Sequence, residues 1–359
     1  MRSLSRHPLR LLFLSTSVGP LGSGLGGGVE LTLHNMAKAL SDRGHTVQIV
    51  APAGSVCAHY AIAQIEGALQ PTAQTEGRNA AIVMPANAVL ANMWDYARHV
   101  QAQYDLLVNF AYDWLPFYLT PFFDPPIAHL VSMGSLTDAM DRIIQQTSAL
   151  YPASIGMHSQ AQASTFPAGL QSRILGNGFD LSLYQFCPHP ERRLAWVGRI
   201  APEKGLEDAV AAAQIANVPL WIWGVMQDSA YWQQIQQNYP TAPVTYAGFL
   251  PTDQLQHELG RCQALLMTPH WVEAFGNVAI EALACGVPII AYRRGGPAEI
   301  VQDGKTGWLV EPDSVDGLVT AIASLDEIER QACRAQAEAE YSLMALGDRL
   351  EQWFAAILD

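Results

Sequence analysis

Short, almost wholly apolar runs alternate along this chain with stretches whose apolar residues recur at helical spacing. LRLLFLS, HTVQIVAP, RRLAWVGRI and VPLWIWGV are of the first kind; ELTLHNMAKALSDRG and GLEDAVAAAQIA are of the second. A strand that is apolar at successive positions must be covered on both faces, which is the condition of a parallel sheet flanked by helices. The pattern therefore predicts repeated strand-helix-strand units. It restarts near CPHPERR, residues 187–193, a Pro-containing polar break. The expected architecture is α/β: two doubly wound Rossmann-like domains, 1–187 and 188–340, facing a central cleft. In residues 341–359, Leu343, Leu346, Leu350, Phe354 and Ile357 share helical spacing and predict a terminal helix packed against the body.

Composition narrows the partners. At 359 residues the chain is long enough for two domains. Three arginines (Arg2, Arg6, Arg10) precede the apolar LLFL in the manner of a secretory signal, but that run is too short, and a glycine-rich loop follows it directly. A first β-strand is expected there. Five cysteines are scattered without C-x-x-C spacing, which argues against a disulfide framework or structural zinc site and for a cytoplasmic location. Net charge is −13 and uneven: residues 1–187 hold 9 basic and 11 acidic side chains, and the remainder 11 and 22. Such a surface repels phosphate backbones and anionic headgroups, so neither a nucleic-acid partner nor stable membrane association is expected.

Two loops carry the candidate chemistry. GPLGSGLGGGVE places six glycines among residues 19–28 between the first strand and a helix, and Gly22, Gly24 and Gly27 fit G-x-G-x-x-G. A dinucleotide site would also need an acid at the end of the second strand, where Ala51 and Pro52 stand instead. What remains is a loop whose backbone N–H groups approach an anion closely at a helix start, or simply a flexible turn. In the acidic second half, Arg199 and Lys204 follow the strand AWV, where an α/β protein would bind an anion; a solvated loop is the alternative.

The segment HWVEAFGNVAIEALACGVPIIA repeats this strand-loop-helix arrangement. Glu273 lies in its loop, Phe275, Gly276 and Asn277 at the helix start, and Glu281 one turn into the helix. Two carboxylates on either side of an anion site suit a ligand with hydroxyls at both ends of a phosphate, as in a nucleotide sugar. Otherwise Glu281 is a salt-bridged core residue and Glu273 a surface acid. No D-x-D motif or zinc-ligand spacing occurs, so no metal and no cofactor beyond the co-substrate is expected.

GGVE (27–30), SQAQ (159–162), NGFD (177–180), GRIAPEKG (198–205), EAFGNVAIEALACGVPIIA (273–291) and GGPAEIVQDGKTGWLV (295–310) together resemble the retaining glycosyltransferases of family 4, with the GT-B fold. That resemblance implies that Arg199 and Lys204 hold the donor diphosphate, that Glu273 takes the transferred sugar's hydroxyls and that Glu281 binds the ribose. The backbone of Phe275, Gly276 and Asn277 would hold sugar and phosphate, and Gly27 and Gly28 would approach the diphosphate from the other domain. UDP-glucose is the donor it implies, without a metal. One departure is HLVSMG, which puts Ser132 where the family's histidine commonly falls, with His129 at a lesser position.

Residues 110–123 include seven aromatics: Phe110, Tyr112, Trp114, Phe117, Tyr118, Phe122 and Phe123. Either they pack in the core, or some of them form a flat pocket for a planar acceptor, with Tyr112 and Trp114 as walls and Asp113 accepting from a ring N–H. The resemblance extends to family members that glucosylate tetrahydrobiopterin, which implies a small soluble acceptor, a pterin. A sugar or lipid acceptor, or a non-catalytic nucleotide-sugar binding protein, are the other readings.

Overall fold

The computed structural model describes residues 7–57, 59–75 and 77–359, so Arg2 and Arg6 lie outside the described residues. The chain divides into two compact units, one running to Gly178 and resuming at Leu343–Asp359, the other Phe179–Ser342.

In the first unit the strands are β1 (Arg10–Leu14), β2 (Thr46–Pro52), β3 (Ile62–Ile65), β4 (Leu106–Asn109), β5 (Ile127–Val131), β6 (Ile155–Met157) and β7 (Arg173–Ile174). They pair in parallel in the order β3-β2-β1-β4-β5-β6-β7. The unbroken LLFL run is explained by coverage of both faces. Leu11 and Phe13 pack with Leu33, Met36 and Leu40 of the helix Gly28–Ser41, whereas Leu12 and Leu14 pack with Val89, Met93 and Trp94 of the helix Val89–Val100. Side chains alternate, but neither side meets water.

The second unit repeats the plan with β8 (Leu194–Val197), β9 (Leu220–Trp223), β10 (Val244–Gly248), β11 (Ala264–Met267), β12 (Ile289–Tyr292) and β13 (Gly307–Val310). Its parallel order is β10-β9-β8-β11-β12-β13. In both units the order reverses beside the first strand, so β1 lies between β2 and β4, and β8 between β9 and β11. Loops leaving the carboxyl ends of two such neighbours are where an α/β sheet places a ligand.

The division falls at Gly178/Phe179, ahead of the polar break at 187–193 that the sequence pattern marks. Residues 179–187 are held by the second unit through backbone and side-chain bonds. Phe179 N–H donates to Tyr341 O (2.8 Å) and Cys187 N–H to Cys285 O (3.1 Å), and the Tyr184 hydroxyl reaches Glu281. The terminal helix Leu343–Leu358 belongs to the first unit. Leu346, Leu350, Trp353 and Phe354 are buried with Leu33, Met36 and Leu40, and the Trp353 indole N–H donates to Ala153 O at 2.7 Å.

Candidate functional site

The loops after β8 and β11 meet in the second unit. After β8 the chain makes a turn of 3-10 helix, Pro202–Lys204, and enters the helix Leu206–Ala216 through Gly205. Gly205 has φ +63°, and a Cβ there would lie 1.9 Å from Thr268 O, so only glycine lets this loop seat on the end of β11. That approach brings the Lys204 amine onto the Glu273 carboxylate and over the Trp271 ring, 4.9 Å from its centre. The Trp271 indole N–H donates to the same carboxylate oxygen at 3.2 Å. Lysine carries three N–H donors, so one ion pair leaves two for another anion. Arg199 is turned to Gln227 and to Glu203, 3.2 Å away, and is about one-third exposed.

Glu273 is fixed from behind as well. Gly296 N–H donates to Glu273 O at 2.8 Å, and a Cβ on Gly295 or Gly296 would strike the backbone of Glu273 or Phe275. The adjacent glycines of GGPAEI thus let one loop lie flat on the other. Gly276, left-handed at φ +91°, opens the helix Asn277–Ala284, and Ala279 N–H bonds back to its carbonyl. Glu281 stands one turn along. Burial pushes its carboxyl up to about 7, opposed by the hydrogen bond from the Tyr184 hydroxyl (3.2 Å). Burial and the neighbouring Glu281 charge hold that phenol well above its usual range, so Tyr184 stays the donor. Among the described residues no ion pair reaches Glu281.

In the first unit, a cavity opens at the carboxyl ends of β1, β4 and β5. Tyr112, Asp113 and Trp114 line it, as does Ser132. Of the aromatic segment, Phe110, Tyr112 and Trp114 line this cavity. Phe110 and Phe117 are buried in the core, Trp114 stacks on Tyr118 at 4.6 Å, and Tyr118 and Phe122 are exposed. The Tyr112 hydroxyl donates to Gly134 O (3.2 Å) and accepts from Leu136 N–H (3.3 Å). Asp113 caps the short helix Trp114–Leu119 by accepting from Leu115 N–H, and burial raises its carboxyl above the usual range. His129 is a strand residue, wholly buried. Its Nε2 lies 2.9 Å from Thr120 Oγ1 and its Nδ1 3.3 Å from Asn109 Nδ2, and burial pushes it down to about 3.

The glycine loop has an internal anion that the sequence pattern did not single out. Glu30 accepts from the N–H groups of Gly22 (2.7 Å), Gly24 (3.2 Å) and Gly26 (2.7 Å), and Gly27 N–H is donated to Gly24 O. Three of the loop amides expected to face a ligand are therefore occupied by this carboxylate. Gly28 begins the helix, and the space where a Gly27 Cβ would stand is open. Three metal-ligand-type side chains distant in sequence, Asp208, His270 and Asp313, come within 4.8 Å of one another. Arg294 pairs with Asp313 at 2.8 Å, and the Tyr292 hydroxyl donates to Asp208 at 2.6 Å, so protein partners already compensate much of that charge. Gln70, Tyr184 and Trp271 also join these groupings without any motif to mark them.

Residues 186–341 match the family model described as Glycosyl transferases group 1. Glycogen synthase of Mycobacterium tuberculosis is 27% identical over 258 residues, 63% of this chain and 62% of that protein. The sulfoquinovosyl transferase SQD2 of Arabidopsis thaliana is 32% identical over 186 residues, 47% and 34%. The matches thus span less than two thirds of the length of these curated relatives. HepE of Anabaena, solved in complex with UDP and glucose, has a TM-score of 0.74 at 18% identity, covering 97% of this chain and 99% of that one. Sucrose-phosphate synthase of Thermosynechococcus elongatus gives 0.75 at 19%, covering 97% and 98%. Identities this low establish the fold and nothing finer. Nearly the whole second unit therefore matches the family model for glycosyl transferases group 1, on a chain whose two parallel-sheet units have the GT-B fold.

Proposed function

We propose that this protein transfers a hexose from a nucleotide sugar, UDP-glucose, to a hydroxyl of a small soluble acceptor, with retention of configuration and without a metal. The observation that carries the reading is the grouping of Lys204, Trp271 and Glu273 at the end of β11, ahead of a helix that carries Glu281 one turn in. UDP-glucose is favoured because UDP and glucose occupy the Anabaena structure of the same fold. Lys204 and Arg199 stabilise charge developing on the departing diphosphate. Glu273 accepts from the hexose hydroxyls and Glu281 from those of the ribose. The helix start at Phe275–Asn277 orients phosphate and sugar.

In the transfer step, the bond between the sugar's anomeric carbon and the phosphate oxygen breaks as the acceptor oxygen attacks from the same face. The acceptor's proton passes to the phosphate oxygen released, so no protein nucleophile is needed. The cavity lined by Tyr112, Asp113 and Trp114 takes the acceptor, for which a pterin such as tetrahydrobiopterin is the leading candidate. The test is a panel of nucleotide sugars with tetrahydrobiopterin and simple sugars, read by nucleotide release and by mass spectrometry of the product. A hexosyl-pterin formed from UDP-glucose is expected. No release from any donor by folded protein would refute transfer and leave a binding protein.

A further inference from the structure

The two oxygens of the Glu273 carboxylate are in different situations. The Lys204 amine and the Trp271 indole N–H both end on Oε2, the indole at 3.2 Å. No N–H or O–H group among the described residues reaches Oε1, and that oxygen is not sealed from solvent.

Trp271 accounts for the difference. An indole has one N–H to give and nothing with which to accept, so this contact has a single direction. The side chain is half-buried and stands outside the core in which Trp196, Trp232 and Trp308 pack. Its ring instead carries the Lys204 amine, 4.9 Å from the ring centre and within cation–π range. Lys204 and Glu273 are 20% and 19% exposed, so the pair is largely withdrawn from water. A lysine on its flexible four-carbon stem could follow a carboxylate as it turns. The indole has only two side-chain torsions and springs from the same loop two residues before Glu273. Cation on ring, cation on carboxylate and ring N–H on carboxylate close a triangle, and swinging the carboxylate away would break two of its sides at once.

Resting on the transferase reading above, we propose that Trp271 is the positioning residue for the transferred sugar: it commits Oε2 of Glu273 to the protein, so that Oε1 is presented to the hexose at a fixed angle. Oε1 has two lone pairs and takes one or two neighbouring hydroxyls. A carboxylate free to turn would have to be ordered anew at each binding event, which lowers affinity. Lys204 keeps its other N–H groups for the diphosphate. Sugar and phosphate are thus met by different atoms of one grouping, and a change confined to the indole N–H touches only the sugar end.

Trp271→Phe makes that change, because it keeps a ring beneath Lys204. Calorimetry of the full chain with UDP and with UDP-glucose, in the absence of an acceptor, separates the two ends of the ligand. The variant should lose about tenfold in affinity for UDP-glucose and less than about twofold for UDP. In a Glu273→Ala background the same substitution should cost UDP-glucose less than about twofold, since no carboxylate remains to be held. A general loosening of the loop would instead weaken both ligands together, in either background. Equal losses for UDP and UDP-glucose, no loss for UDP-glucose, or a tenfold loss that persists without Glu273 would each overturn the inference, and release of UDP by the wild type with an acceptor would keep the transferase reading. A selective loss in protein that binds both ligands but releases UDP with no acceptor would support the positioning and remove transfer. Binding of neither ligand by folded wild type would overturn both.

Discussion

Replacing Glu281 with glutamine isolates a single buried charge. The carboxyl titrates near 7 in the folded protein, because burial disfavours its ionised form more than the Tyr184 hydrogen bond favours it, against 4.5 for an unperturbed glutamate. The sign follows from proton uptake. Between pH 4.5 and about 7 the folded state holds a proton that the unfolded state has released, so stability falls as pH rises through that window. The loss is complete above about 7. At 1.36 kcal/mol per unit, the full penalty is about 3 kcal/mol, an upper figure because the side chain is not wholly shielded from water. Glutamine keeps the shape and cannot ionise. Glu281→Gln should therefore gain stability relative to wild type on going from pH 5 to pH 8, by about 5–10 °C in melting temperature for a unit of this size. Intrinsic fluorescence reports mainly on the second unit, which holds six of the nine tryptophans. If Glu281 accepts from the donor's ribose, wild-type donor affinity should rise about tenfold per pH unit up to 7 and then level, because binding selects the carboxylate. The variant should bind weakly, with no pH dependence. Parallel melting profiles for the two proteins from pH 5 to 8 would refute the burial argument, and pH-independent wild-type donor affinity would refute the ribose assignment.

Other perturbations test separate parts of the molecule. Lys204→Ala should lower turnover about 10²–10³-fold, with a smaller effect on melting temperature, because its charge acts on the departing diphosphate; near-normal turnover by folded variant excludes that role. His129, buried and held near 3, makes the first unit lose stability as pH falls from about 6.5 toward 3, since the unfolded chain binds a proton that the folded one refuses. The expected slope from this group is about 1.4 kcal/mol per unit, and acid titration of His129→Gln by circular dichroism should lack that component. Glu30→Ala should release the amides of Gly22, Gly24 and Gly26 to solvent, with a stability change under about 1.5 kcal/mol but faster hydrogen exchange at those three positions. Unchanged exchange would mean that the carboxylate does not hold the loop.

Local chemistry made much of the molecule legible in the sequence. Four successive apolar residues at 11–14 require cover on both faces, and the helices Gly28–Ser41 and Val89–Val100 supply it. Gly205 and Gly276 mark left-handed turns into helices, and Glu273 and Glu281 are separated by a spacing that puts one in a loop and the other inside the next helix. Such features depend on neighbours within one or two turns of chain, so pattern and propensity suffice to find them. Pairings across the sheet are different in kind. Lys204 reaches Glu273 because β8 lies beside β11, although β9, β10 and three α-helices intervene in the chain. Tyr184 joins Glu281 from a segment that the sequence pattern assigned to the first domain, and the terminal helix packs on the first unit after the chain has completed the second. Gln70 meets Asp113 with one amide oxygen left over, from a connection without regular pattern. Strand order and the packing of loops over it determine which distant polar atoms share a volume. That choice is made by burial summed over whole units, whereas the sequence pattern reports only the periodicity of each element by itself.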